Sequence, residues 1–397
     1  MTGSAVGNRP VSPWLLAVLV AISTLQPFAI NVLAPATPGL TRSLGTDYAT
    51  VQLTLTLYLV TVAVTQLLVG PVSDRIGRRP CILAGIALFA LGSAMGAAAT
   101  EIGLLLTARI VQAIGGGTCF ALARAVVRDS AGKDQAASLI GYIATAMVVA
   151  PMVAPLVGGF LDARFGWRSI FIAMLALSGA VAVAAVPLLK ETAPRTGDAS
   201  LRAIVSSYPA LLRHRAFLGY ALMLSFVTAA FFAFVAGAPY IVVSHMGHTP
   251  DVYGAYFVLN AGGYMIGNFL TGRLGQRLGS DRLIRVGFAV SIAAVTLEAA
   301  VAALLPWTPL TLFLPLTLNG IGNGLIIPSA TAGALSVRPE LAGTAAGLSG
   351  AAQLGFGALS AVVAGHLVTL WPQSLVVAML AYTLLGWLCL ILLVRRR

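Results

Sequence analysis

The sequence predicts an all-α membrane protein: twelve transmembrane helices arranged as two pseudo-symmetric six-helix bundles. Three observations carry this. Of 397 residues, 58% are hydrophobic and only 9% charged, with a mean hydropathy of +0.93, far outside soluble composition. Apolar runs of about 20 residues, the length that crosses a bilayer, recur along the whole chain. Finally, a charged turn at Gly70, Arg75 and Gly77 returns 202 residues later as Gly272, Arg277 and Gly279, which is the mark of a duplicated membrane protein. Helix is the expected conformation throughout, because in lipid each backbone polar group must be satisfied within its own segment.

Taken in order, the first six runs lie near 14–35, 50–71, 80–99, 102–127, 136–160 and 168–189. A second six follow near 216–238, 252–274, 283–304, 308–332, 341–366 and 372–394. Between the sets lies the longest hydrophilic stretch, containing Lys190, Glu191, Arg195, Asp198, Arg202, Arg213 and His214. The chain therefore divides into a bundle at 1–190, a cytoplasmic linker at 191–215 and a second bundle at 216–397. The first run is long and lacks a small-residue cleavage site, so it reads as a helix rather than a removable signal. Further echoes support duplication: Ile114-Gly115-Gly116-Gly117 is matched by Ile321-Gly322-Asn323-Gly324, Gln112 by Asn319 and Gly158 by Gly365.

The net charge of +12 would suit a nucleic-acid binder, but its distribution argues otherwise. All 24 Lys and Arg residues except Arg42, Arg109, Arg164 and Arg168 fall on one side of the predicted topology. Positive-inside placement explains that split and puts both termini in the cytoplasm. No nucleic-acid partner is implied. Cys81, Cys119 and Cys389 fall in or at the edge of apolar runs and read as small hydrophobes, with no metal or disulfide spacing. No metal and no cofactor are expected. An integral-membrane enzyme would need converging acids and histidines, and the chain has only four His and almost no acids within its spans.

The turn itself reads Gly70-Pro-Val-Ser-Asp74-Arg75-Ile-Gly77-Arg78-Arg79-Pro80. Gly70 is expected to admit a neighbouring helix and Gly77 a tight reversal. Asp74, the acid in a basic loop, is expected to pair with Arg124 or Arg128, or to face the start of span 11, as a lock that opens in one state. Arg109 lies about 10 Å inside span 4 by helix rise, where a guanidinium needs a cavity or a partner. Gln112, one turn on, is expected beside it. In span 5, Pro151, Pro155, Gly158 and Gly159 form a bent, closely packed interface hinge. Glu298 is expected at the surface near a helix end, and His245 and His366 receive no role.

These residues resemble the major facilitator superfamily. Gly70, Asp74, Arg75, Gly77, Arg78 and Arg79 match its signature loop; Arg109-x-x-Gln112-Ala113-x-Gly115 is similar to the second motif of drug:proton antiporters. The Pro- and Gly-rich span 5 resembles the antiporter motif of exporters. Gly166-Trp167-Arg168, Phe171, Lys190-Glu191-Thr192 and Arg124-x-x-x-Arg128-Asp129 resemble the bicyclomycin and chloramphenicol resistance branch. The resemblance implies a major facilitator fold and a bacterial inner-membrane exporter. It would be a monomer in the lipid bilayer, exchanging small amphipathic compounds for protons by alternating access. It also implies a cavity between spans 1, 4, 7 and 10, with polar candidates Gln26, Asn31, Gln112, Asn319 and Asn323. Phe226, Phe231, Phe232 and Phe234 would offer an aromatic wall. An uptake carrier for a small metabolite is the alternative, disfavoured by the span 5 motif. One departure stands out: before Pro35-Ala36-Thr37-Pro38 the branch carries Asp, and this chain carries Asn31, an amide that cannot bear a proton.

Overall fold

A computed structural model describes residues 12–130, 133–192 and 208–394. Within them the chain is helical, joined by short turns. Most of the predicted linker, residues 193–207, lies outside the described residues, as do Arg9, Arg395, Arg396, Arg397 and the side chains of Arg128 and Lys133.

Local chemistry sets the helix ends. Pro13 opens α1 (Pro13–Val32), which a short 3-10 turn (Ala34–Ala36) joins to α2 (Thr37–Ser43). Asp47 caps α3 (Tyr48–Ile76), accepting from the Thr50 N–H at 2.8 Å and the Thr50 hydroxyl at 2.6 Å. Those bonds hold the Asp47 carboxyl below its usual range. Gly77 ends α3 at φ 112°, a backbone region that disfavours side chains, and α4 (Arg78–Ala97) starts at once. Next come α5 (Ile102–Ser130), α6 (Lys133–Phe165) and α7 (Arg168–Leu188). The second half holds α8 (Arg215–Pro239), α9 (Pro250–Leu278), α10 (Ser280–Leu304), α11 (Pro309–Ser336), α12 (Ala342–Leu370) and α13 (Ser374–Cys389). Gly279 closes α9 at φ 77°, as Gly77 closes α3. A Thr308–Thr311 capping box starts α11.

Ten helical stretches among the described residues, from Pro13–Ser43 to Ser374–Val394, are long and apolar enough to cross a membrane. Two further long helices, α6 of 33 residues and α9 of 29, pack among them. The polar load of α9 (Asn260, Asn268, Thr271 and Arg273) lowers its hydropathy.

Within the first half α4 packs on α5 and α7, α3 on α5, and α1 on α5 and α6; within the second, α9 and α10 pack on α11, and α12 and α13 on α8. Between halves the main partners are α6 on α9 and α3 on α12. Two ends can be distinguished. One, the linker end, holds the turns at Gly77 and Gly279. The other, the seam end, holds the start of α3 and the end of α8.

The contacts between halves gather toward the seam end. The Tyr48 hydroxyl donates to the Ala236 carbonyl at 2.6 Å and the Gln52 amide to the same oxygen at 3.0 Å. Tyr48 also packs on Tyr240, with ring centroids 5.0 Å apart. A Cβ on Gly159 would stand 2.5 Å from the Pro250 carbonyl oxygen, and one on Gly254 2.9 Å from the Leu156 Cα. Two backbones therefore touch where α6 crosses α9. At the linker end Gly70 of α3 and Gly272 of α9 both face open space: a Cβ on either would meet nothing within 4 Å.

Candidate functional site

The turn between α3 and α4 is built around Arg78, whose side chain is 6% exposed. Its guanidinium reaches Asp74 at 2.7 Å, Asp129 at the end of α5 at 3.1 Å, and the Ser73 hydroxyl. Asp74 thus pairs with Arg78, one helical turn along, the spacing at which side chains meet, while the Arg128 side chain of the expected pairing lies outside the described residues. Arg124 instead lies over the Phe120 ring at 4.4 Å. In this state no neighbouring helix lies against Gly70. Arg75 is exposed.

Glu191 completes the knot. Its carboxylate accepts the backbone N–H of Arg78 at 2.8 Å and of Arg79 at 3.3 Å, satisfying free donors at the start of α4. In return Arg79 donates to the Leu189 and Val186 carbonyls at 2.9 and 3.1 Å, capping the end of α7. The two helices cap one another. The Lys-Glu-Thr signature had marked the position of Glu191 without revealing this role.

Arg109, of α5, is 1% exposed. Its guanidinium donates to the Ala29 carbonyl of α1 at 3.0 Å, the Thr54 carbonyl of α3 at 3.3 Å and the Gln112 side-chain oxygen. It also lies 4.1 Å over the Tyr58 ring. Burial rules out snorkelling to the surface. Gln112 is itself buried, and its amide reaches Ser93 of α4 at 2.8 Å and the Met174 sulfur of α7 at 3.3 Å. This one cluster ties five helices together.

Arg109 does line a cavity, but one of about 10 Å³, room for roughly a single water. Thr37, Gln52, Thr54 and Val235 of α8 share its wall. The space that Arg109 lines among the described residues is, in this state, a water-sized gap beside the seam. The Gln52 Oε1 is buried there without a hydrogen-bond partner. Sequence reasoning confined the cavity to spans 1, 4, 7 and 10 and missed Tyr48, Gln52 and Tyr58; polar and aromatic residues recurring along span 2 were the available signal.

Asn31 is buried, its amide donating to the Pro27 carbonyl at 2.9 Å while Oδ1 has no partner. Gln26 accepts from Gln66 at 3.3 Å. Asn319 is buried and Asn323 half-buried on α11. Phe234 packs edge-on with Phe313 at 5.4 Å and Phe226 with Phe356 at 5.3 Å, while Phe232 lies against Gly357. These rings form helix packing rather than one wall. In α6, Pro151 and Pro155 lie within a continuous helix, and Gly158 touches the Val32 backbone of α1. The predicted close-packed interface is present. Cys81 and Cys119 are buried free thiols, and Cys389 is half-buried. His366 is exposed and His245 stacks on Trp307.

Glu298 overturns its expectation. It is 1% exposed, and both carboxyl oxygens are buried without a partner. The apolar sequence around it concealed nothing; the packing of α11 and α13 over α10 was what the sequence did not show.

Comparison with known proteins agrees with the architecture. Residues 19–361 match the family described as the Major Facilitator Superfamily. The chain is 30% identical to Multidrug resistance protein D of Escherichia coli (strain K12) over 88% of each sequence. It is 30% identical to the Chloramphenicol resistance protein of Pseudomonas aeruginosa, covering 95% of this chain and 91% of that one. In three dimensions it superposes on the human organic anion transporter MFSD10 with a TM-score of 0.71 at 17% identity, covering 97% of this chain and 100% of the other. The chain is a multi-pass membrane protein and belongs to the Major Facilitator Superfamily.

Proposed function

We propose that this protein is a secondary active exporter of small amphipathic compounds, antibiotics among them, driven by proton antiport and working by alternating access. The two halves are pseudo-symmetric bundles of six spans, α6 and α9 completing the twelve. They are joined by the 191–215 linker, and the protein works as a monomer. The linker end is cytoplasmic, since Arg75, Arg78, Arg79, Arg273, Arg277, Arg282 and Arg285 all gather there. The structure then corresponds to the state closed to the outside.

The observation that carries the reading is the position of the buried Arg109 and Gln52 directly behind the seam. A polar cluster sealed at one end, between halves that separate at the other, is the arrangement alternating access requires. The names of the relatives support the substrate class: one is a multidrug resistance protein and another a chloramphenicol resistance protein. The motif residues of α6 support export over uptake. The test is expression in a host deprived of its own exporters, with growth measured against an antibiotic panel that includes phenicols. Raised tolerance together with lowered drug accumulation is expected. Raised accumulation of a compound would instead make the protein an uptake carrier.

A further inference from the structure

Glu298 combines three properties that no ordinary core residue has. It is fully buried, neither carboxyl oxygen has a hydrogen-bond partner, and it opens onto a cavity of about 10 Å³. That volume suits roughly one water molecule. Thr311 and Leu312 of α11, Trp307 before it and Val376 of α13 form the far wall. Leu305 at the rim is exposed and Thr311 half-exposed, so the cavity meets the surface at the seam end. Glu298 lies about 9 Å below the end of α10 by helix rise.

An ionised carboxylate in such a wall would cost many kcal/mol, and a group in that position takes up a proton instead. The residues lining the cavity carry no charge that could hold it ionised. On the packed elements, α11 has no titratable residue and Tyr382 of α13 lies about 9 Å further along its helix than Val376. From α9, Tyr253 and Tyr256 pack against Phe313, and the Asp251 backbone lies against Gly159. The charged Asp281, Arg282 and Arg285 of α10 lie at its opposite end. His245 lies edge-on to Trp307, ring centroids 6.3 Å apart, and is not among the residues lining the cavity.

We infer that Glu298 is a proton-binding site of the transport cycle, loaded from the seam end through the Thr311–Leu305 mouth. Its carboxylate takes one proton from water there and gives it up as the halves alternate. This supplies a carboxyl that Asn31 cannot, and it rests on the exporter reading.

The experiment has two arms on the purified full chain. In the first, infrared difference spectra between alkaline and acidic buffer should show a protonated-carboxyl band that titrates, and that Glu298→Gln removes. In the second, proteoliposomes are loaded with chloramphenicol or, separately, ethidium. Wild type should move the probe when a pH gradient is imposed. Glu298→Gln should lose this gradient-driven movement yet keep probe-for-probe exchange, and Glu298→Asp should recover part of the driven rate. Retained exchange shows that the variant is folded. A Glu298→Gln protein pumping at the wild-type rate, or a band that neither titrates nor depends on Glu298, would overturn the assignment. A wild type that carries neither probe would refute the exporter reading, while the infrared arm would still decide whether Glu298 binds the proton.

Discussion

At Arg109 the cost of placing a guanidinium in lipid is met by acceptors from α1, α3 and its own helix, with the Tyr58 ring beneath. Replacement by Ala orphans the Gln112 oxygen, at about 1–3 kcal/mol, removes a bond from each helix carbonyl and opens the polar cluster. Arg109→Ala is therefore expected to lose transport and to lower the thermal midpoint. Arg109→Lys should recover only part of both, since an ammonium lacks the planar fork that spans three acceptors. Drug accumulation at matched expression and melting in detergent check the two effects. Asp74 should behave differently. Its pair with Arg78 is partly exposed, at 25% for the Asp74 side chain, and Arg78 keeps Asp129. Asp74→Asn should leave stability nearly unchanged, since such pairs contribute at most about 1 kcal/mol, yet reduce transport if the pair opens during the cycle. Normal transport would remove Asp74 from gating. At this scale the sequence revealed that Arg109 is buried, because depth follows from counting along an apolar run. It did not reveal its partners, because carbonyls of distant helices leave no mark in a pattern. Glu298 was misread for the same reason: burial from the side depends on neighbours, not on position along the helix.

Among the helices, α6 is the most constrained. Gly158 packs against the α1 backbone and Gly159 against the start of α9, so its two faces serve different halves. Gly158→Val is expected to prevent recovery of monodisperse protein, because the Val32 backbone cannot yield as a flexible side chain would. Gly70→Leu is the contrasting case. Its neighbourhood is empty in this state, so the variant should fold and melt as wild type. It should nevertheless transport poorly, because closing the linker end would bring another surface to that face. Size-exclusion profiles and drug efflux separate the two outcomes. Glu191 makes a third prediction at this scale. Glu191→Gln weakens the charge-assisted cap on α4 and should lower stability by about 1 kcal/mol, read as a few degrees in melting. The long apolar helices, the Gly77 reversal and the tight α6 surface were legible, since length, glycine and proline are local signals. The reciprocal cap between α4 and α7 was not, since it joins residues more than a hundred positions apart.

For the whole molecule, alternating access requires the two halves to separate where they now meet. Gln52 and Gly365 face each other across that seam, and a Cβ on Gly365 would lie 3.1 Å from the Gln52 Cβ, within slight adjustment of disulfide spacing. The repeat expected from the sequence pointed to two moving units, but only the packing shows which end is closed. In a background with Cys81, Cys119 and Cys389 replaced, Gln52→Cys with Gly365→Cys should form a disulfide on oxidation. Efflux of a confirmed substrate is then measured before oxidation, after it, and after reduction. Oxidation should stop efflux, reduction should restore it, and neither single variant should respond. Undiminished efflux from the fully cross-linked protein would contradict that requirement.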